Sequence, residues 1–99
     1  MKKQVKASKA RPVLVCTALR GVFFGYARKT SGTTIILERA RNILYWSADV
    51  CGFVGLASDG PSATCRVGPR ADMELRQVTC VVECTPKAVA AWEAAPWSK

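Results

Sequence analysis

Apolar and polar residues alternate along much of the chain with a period of two, and short turn-forming clusters interrupt the alternation. Pro12 to Leu19 (PVLVCTAL) and Val22 to Arg28 (VFFGYAR) are rich in β-branched and aromatic residues, which fit a pleated, half-buried surface. Arg20-Gly21 between them supplies a turn, because glycine reaches positive φ without a Cβ penalty, and the two runs predict a hairpin. Gly25, inside the second run, predicts a bulge or a close approach by another backbone. Thr30-Ser31-Gly32 marks the next turn and Thr33 to Leu37 (TTIIL) a third strand. Ala40-Arg41-Asn42 then reads as a polar break before a short fourth strand, Ile43 to Trp46. If that run is extended, Arg41, Ile43 and Tyr45 share one face and Asn42, Leu44 and Trp46 the other.

From Ser47 the periodicity changes. Ser47 or Asp49 can cap a short helix over Val50 to Ala57, which Ser58-Asp59-Gly60-Pro61 must end. Gly52 and Gly55 lie inside that segment, each about 1 kcal/mol worse than Ala in a helix, and their presence points to tight packing or close ligand approach. Thr64 to Val67 predicts a short strand, Gly68-Pro69 a turn, and Ala71 to Gln77 a polar passage into the last strand. Along Val78 to Cys84 (VTCVVEC), Val78, Cys80, Val82 and Cys84 form the inner face, with Thr79, Val81 and Glu83 outside. Thr85-Pro86 is an N-cap followed by proline at the first helical position, and it opens an alanine-rich helix over Lys87 to Ala95. Val89 and Trp92, three apart, seat that helix on the sheet, and Pro96 stops it before Trp97. The fold class is therefore α+β, mainly β: a bent antiparallel sheet or small barrel of five or six strands, with a short helix and a C-terminal helix.

Charge divides the chain where the periodicity does not. The formal net charge is +8, yet Lys2, Lys3, Lys6, Lys9 and Arg11 supply five cations before the first apolar run, with no acid among them. Residues 1–11 read as a basic flexible arm, 12–97 as a single β-rich domain and 98–99 as a tail. Such an arm can hold phosphate through salt-sensitive contacts, and it is equally the composition of a solubilising terminus. No run of about 18 apolar residues exists to span a membrane. The apolar stretch after the arm is short and broken by Arg20, which argues against a secretory signal. A 99-residue chain with open sheet edges is expected to self-associate, through an edge or through the helix carrying Trp92 with Trp97 beside it.

The residue types present narrow the chemistry. Histidine is absent, and no Ser or Cys lies in a nucleophile-elbow setting, so a catalytic site and a cofactor are not expected and the chain reads as a binding protein rather than an enzyme. Asp72 and Glu74, two apart, lack a third acid or an aromatic neighbour and read as a solvated edge. The five cysteines, Cys16, Cys51, Cys65, Cys80 and Cys84, contain no C-x-x-C pair and read as reduced, mostly buried thiols, with no metal site. Cys80 and Cys84 would stand about 13 Å apart on one strand, too far to bridge. G-F-V-G at 52–55 lacks the polar centre of a phosphate-clamping loop, and no nucleotide-cradle motif is present. What remains is Arg41, Tyr45, Trp46, Ser47 and Arg66, which could together stack a base and hold a phosphate, and Trp97 as a partner contact. Beside this stands a structural reading, in which Tyr45 or Trp46 closes the core while Arg41 snorkels or pairs with Glu38.

The stretches RGVFFGYA (20–27), LERARNILYWSADVCGFVGLASDGPSATCRVGP (37–69) and CTPKAVAAWEAAPW (84–97) together resemble a family of short uncharacterised proteins from tailed phages and prophages. The resemblance covers roughly residues 12–97 and leaves the basic arm outside. It implies a phage gene, expression in the bacterial cytoplasm and no established activity. On that footing the expected function is a non-catalytic accessory protein that binds and blocks, or sequesters, a host component: a regulator, a defence protein or a small anionic nucleotide signal. The alternative is nucleic-acid binding through the arm and a basic strand face formed by Arg28, Lys29, Arg39 and Arg41.

Overall fold

Six strands and two α-helices follow one another in the computed structural model, which describes residues 10–18 and 21–96. β1 (Arg11–Thr17), β2 (Val22–Ala27) and β3 (Ile35–Tyr45) form a meander. A 3-10 turn (Ala48–Val50) and α1 (Gly52–Ser58) follow, then β4 (Arg66–Val67), β5 (Ala71–Leu75), β6 (Val78–Glu83) and α2 (Pro86–Ala94). Every strand pairing is antiparallel. The sheet order is β4-β3-β2-β1-β6, with β5 also on β3, end to end with β4.

The chain itself forces this sheet to curl. β5 and β6 are separated by β3, β2 and β1, which in a flat sheet would hold them about 19 Å apart at about 4.8 Å per strand. Only Arg76 and Gln77 connect them, and that link reaches roughly 11 Å. The sheet therefore rolls until its two edges approach at this corner, where Gln77 takes a left-handed φ of 59°. Backbone bonds from Ala18 N to Gln77 O (2.9 Å) and from Val78 N to Thr33 O (2.9 Å) fasten the corner. The sheet stays open rather than closing into a barrel, since β5 and β6 do not pair.

A rolled sheet buries both faces. Inside the roll, Val13, Val15, Ala27, Ile35, Leu37, Ala40, Leu75 and Val78 form one core. On the outer face, Leu14, Val22, Phe24 and Ile43 form a second core with Leu56 of α1 and Ala88 and Trp92 of α2. Trp92 is fully buried, stacks on Phe24 at 5.2 Å between ring centroids, and donates its indole N–H to Leu56 O at 3.0 Å. The terminal helix begins as the sequence requires: Thr85 accepts from Ala88 N at 3.1 Å, and Pro86 occupies the first helical position.

Three expectations need revision. β3 runs unbroken through Ala40-Arg41-Asn42. Its registers against β2 and β5 each carry one extra residue between Leu37 and Arg41, and Arg39 there has φ 49°, the signature of a bulge. In β6, register shifts by one residue near Thr79. Val78 and Val81 consequently face the inner core while Val82 and Cys84 pack on the outer one, so the expected inward set is split between two cores and Val81 is not turned to solvent, although Thr79 and Glu83 are exposed as expected. Arg11, grouped with the arm by its charge, is the first residue of β1, opposite Ala27.

Gly25 and Gly55 resolve as packing devices, while Gly52 takes a left-handed φ of 71° in open space. Gly25 lies where the β2 and β3 registers slip, and a Cβ there would come within 3.1 Å of Ala40 Cα and Leu37. A Cβ on Gly55 would fall 1.7 Å from Val50 O. That crowding, rather than a ligand, explains a glycine inside so short a helix.

Candidate partner-binding surface

Arg41 lies at the junction of the outer core, and it is 1% exposed. Its Nε donates to Gly68 O at 2.9 Å, and its Nη1 to Trp92 O at 2.7 Å and Ala95 O at 2.6 Å. The last carbonyls of a helix lack intrahelical partners, and a cation there is favoured by the helix dipole. Arg41 is thus the C-terminal cap of α2, supplied from β3 across 51 residues of chain. Burial pulls its guanidinium below its ordinary value, the neighbouring charge of Arg70 pulls it further, and Glu93 opposes both; it stays protonated at neutral pH. It neither snorkels nor pairs with Glu38, and the phosphate-binding role expected of it has no exposed guanidinium to act through.

A polar network surrounds this cap at the surface. The Tyr26 phenol donates to Glu93, and Arg70 forks onto the same residue, with Nη2 at 2.8 Å from Glu93 O and 3.1 Å from Oε1. The Arg39 guanidinium lies 4.2 Å from the Tyr26 ring centroid, in cation–π range. Asp72 accepts the Arg39 backbone N–H at 3.0 Å and so helps to hold the bulge. Burial first, and then the hydrogen bond to Glu93, push the Tyr26 phenol up to about 12. The Glu93 carboxyl is held below its ordinary value chiefly by the Tyr26 bond, with Arg70 and Arg39 adding to it against the effect of burial. The network ties α2 to the bulged centre of β3.

The basic strand face assembles only in part. Arg28 pairs with Glu38 (Nε to Oε2, 2.6 Å), Arg39 lies over Tyr26 and 4.0 Å from Glu93, and Arg41 is buried. Arg11, the described member of the arm set, bonds Glu83 and Thr30. Lys2, Lys3, Lys6, Lys9 and Trp97 lie outside the described residues. Beside the β2–β3 loop, an open groove of about 480 Å³ is lined by Arg28, Lys29, Ser31, Thr34, Ile36 and Glu38. A smaller one of about 320 Å³ lies between residues 61–67 and the end of α2.

The remaining sequence candidates separate by burial. Trp46 is half-buried against the outer core. The Ser47 hydroxyl bonds that of Thr64, which tethers the 3-10 turn to the loop before β4. Tyr45 is 53% exposed and stands opposite Arg66 across the β3–β4 pair. Five large apolar side chains are exposed among the described residues: Ile36, Leu44, Tyr45, Phe53 and Val54. Four of them come from residues 44–54, at the end of β3 and the start of α1. Leu44, Phe53 and Val54 were not singled out from sequence, because apolar residues in a strand and a short helix read as core. The available signal was Gly55: it sets one side of α1 against the Val50 backbone and leaves Phe53 and Val54 on the other.

The family described as a domain of unknown function, DUF6948, matches residues 10–92. No curated protein and no solved structure matches the chain.

Proposed function

The chain belongs to the DUF6948 family of domains of unknown function, and we propose that it works as a non-catalytic binding module that docks on a bacterial host protein. The carrying observation is that, among the described residues, four of the five exposed large apolar side chains, Leu44, Tyr45, Phe53 and Val54, come from one stretch of 11 residues, with Ile36 the fifth. Exposed apolar side chains gathered in one stretch mark interaction surfaces more often than singly scattered ones. Tyr45 supplies an amphipathic anchor, and Arg66 opposite it supplies a cation, the two residue types that recur at interface centres. The fitting partner surface is apolar with an acidic rim, which the chain's +8 charge also favours in encounter. The resemblance to phage and prophage proteins supports a host regulator or defence protein as that partner, met in the bacterial cytoplasm. Self-association through the same face or a sheet edge belongs to this proposal, since either would bury apolar surface.

Capture from bacterial lysates tests it with two immobilised proteins, the full chain and a Leu44→Ser/Val54→Asp variant whose folding is verified by thermal melt. A protein retained by the first and lost by the second, then reconstituted from purified components, supports the reading. Retention of nucleic acid, or no difference between the two proteins in several hosts, overturns it.

A further inference from the structure

Cys16 and Cys80 are 64 positions apart in sequence, and the register of β1 on β6 sets them directly opposite one another. Cross-strand partners share a face, so both thiols point the same way, and both are half-buried. Directly opposed residues of an antiparallel pair have Cα atoms about 4.5 or 5.5 Å apart, depending on their place in the ladder. Both spacings fall within the roughly 4.4–6.8 Å that a disulfide spans. Burial first, and then the neighbouring Cys80, raise the Cys16 thiol above its ordinary value, in keeping with the side-by-side placement that the register gives.

We propose that Cys16 and Cys80 form a reversible cross-strand disulfide by exchange with a small-molecule disulfide such as oxidised glutathione. One thiol loses its proton to solvent, and its thiolate attacks a sulfur of the small disulfide, releasing one small thiolate. The second cysteine, deprotonated in turn, attacks the protein sulfur of that mixed disulfide and releases the other. The two protein sulfurs give up two electrons and two protons, and the small disulfide is reduced to two thiols. Opposed strand residues hold their Cβ atoms about 4.5–5.5 Å apart, wider than the roughly 3.5–4.5 Å of a relaxed bridge. Closure therefore draws β1 and β6 together under strain, and strained bridges are the readily reduced ones. The register slip beside Thr17 and Thr79 gives the strands local slack for that movement. The bond would fasten the one ladder that, among the described residues, joins β6 to the meander, closing a loop that contains β2 to β5 and α1.

The full chain, incubated in glutathione buffers of increasing oxidised fraction, is read by intact mass, a non-reducing peptide map and thermal melting. The expected product has lost two hydrogens, carries one link between the Cys16 and Cys80 peptides, melts several degrees higher, and reverts with dithiothreitol. Cys16→Ser and Cys80→Ser should each abolish the link, while Cys84→Ser should preserve it. Glutathione adducts alone, a bridge between other cysteines, or a link that survives Cys16→Ser would each overturn the proposal. Should either serine variant fail to fold, the map of the wild-type chain decides by itself.

Discussion

Replacing Arg41 by methionine keeps much of the side chain's apolar length and removes all of its donors. Three carbonyls, Gly68 O, Trp92 O and Ala95 O, then lose the hydrogen bonds they accept inside the protein. An unsatisfied buried polar group costs about 1–3 kcal/mol, and loss of the dipole-aligned cation adds some tenths more. Local relaxation and water entry at the helix end recover part of this, which gives an expected loss of about 4 kcal/mol. For a chain of this length that is a large share of the roughly 5–15 kcal/mol a domain typically has. It corresponds to a fall in Tm of roughly 15–30 °C. Arg41→Lys should recover only a fraction, because an ammonium on a flexible stem cannot reproduce the fork that reaches carbonyls on two segments. Urea unfolding followed by far-UV circular dichroism gives the free energy, and amide exchange in the last turn of α2 locates the loss. A methionine variant within about 1 kcal/mol of wild type at an unchanged m-value would refute the capping role. Lost ligand binding at unchanged stability would return Arg41 to the binding site.

Further outcomes can be stated for neighbouring residues. Gly55→Ala should destabilise by about 3 kcal/mol or more, because its Cβ would sit 1.7 Å from Val50 O. Gly32→Ala, at φ 80° in open space, should cost only about 1 kcal/mol of backbone strain, and paired thermal melts separate the two. Glu93 has a depressed folded-state pKa, so its stabilisation is present above the unfolded-state value and is lost as pH falls through the folded one. The stability gap between wild type and Glu93→Gln should accordingly narrow below about pH 4, and a gap constant from pH 7 to 3 would contradict the network. Trp92→Phe should cost about 2 kcal/mol, chiefly by opening a void in the outer core, since Leu56 O loses the indole donor but keeps the Gly60 N–H at 3.1 Å, measurable by urea titration.

Much of this fold was legible in the residues because local and global preferences agree. The alternation in Pro12–Leu19 and Val22–Arg28 produced β1 and β2, and Thr85-Pro86 produced a capped α2. Tyr45 and Arg66 were legible as a pair of chemical types, and the structure makes them cross-strand neighbours. Legibility failed where a residue's partner lies far along the chain. Arg41 looked like a break in β3 because an arginine is polar, and its burial depends on helix-end carbonyls that no local window contains. On β6, Val82 and Cys84 pack on a core as expected, but Val78 and Val81 fall on the opposite face because a bulge near Thr79 shifts the alternation without any glycine or proline to announce it. Phe53 and Val54 drew notice only as an apolar centre unfit to clamp phosphate, since their exposure follows from how Gly55 packs rather than from their own character.

The extra residue in β3 divides one strand between two cores. Ile35, Leu37 and Ala40 face the interior of the roll, while Ile43 packs on the helix-covered side and Arg41 caps the helix there. Substitutions along the strand act one side chain at a time; a deletion acts on phase. Loss of a single codon between 38 and 40 would erase the bulge yet keep Arg41 on the helix side, because one inward residue would again separate two outward ones opposite Phe24 and Tyr26. Loss of the codon for Asn42 would instead turn Ile43 towards the interior of the roll and withdraw it from the helix-covered core. The family's tolerance to length change within β3 should for this reason be highest at the bulge, where residue-by-residue polarity gives no sign of slack.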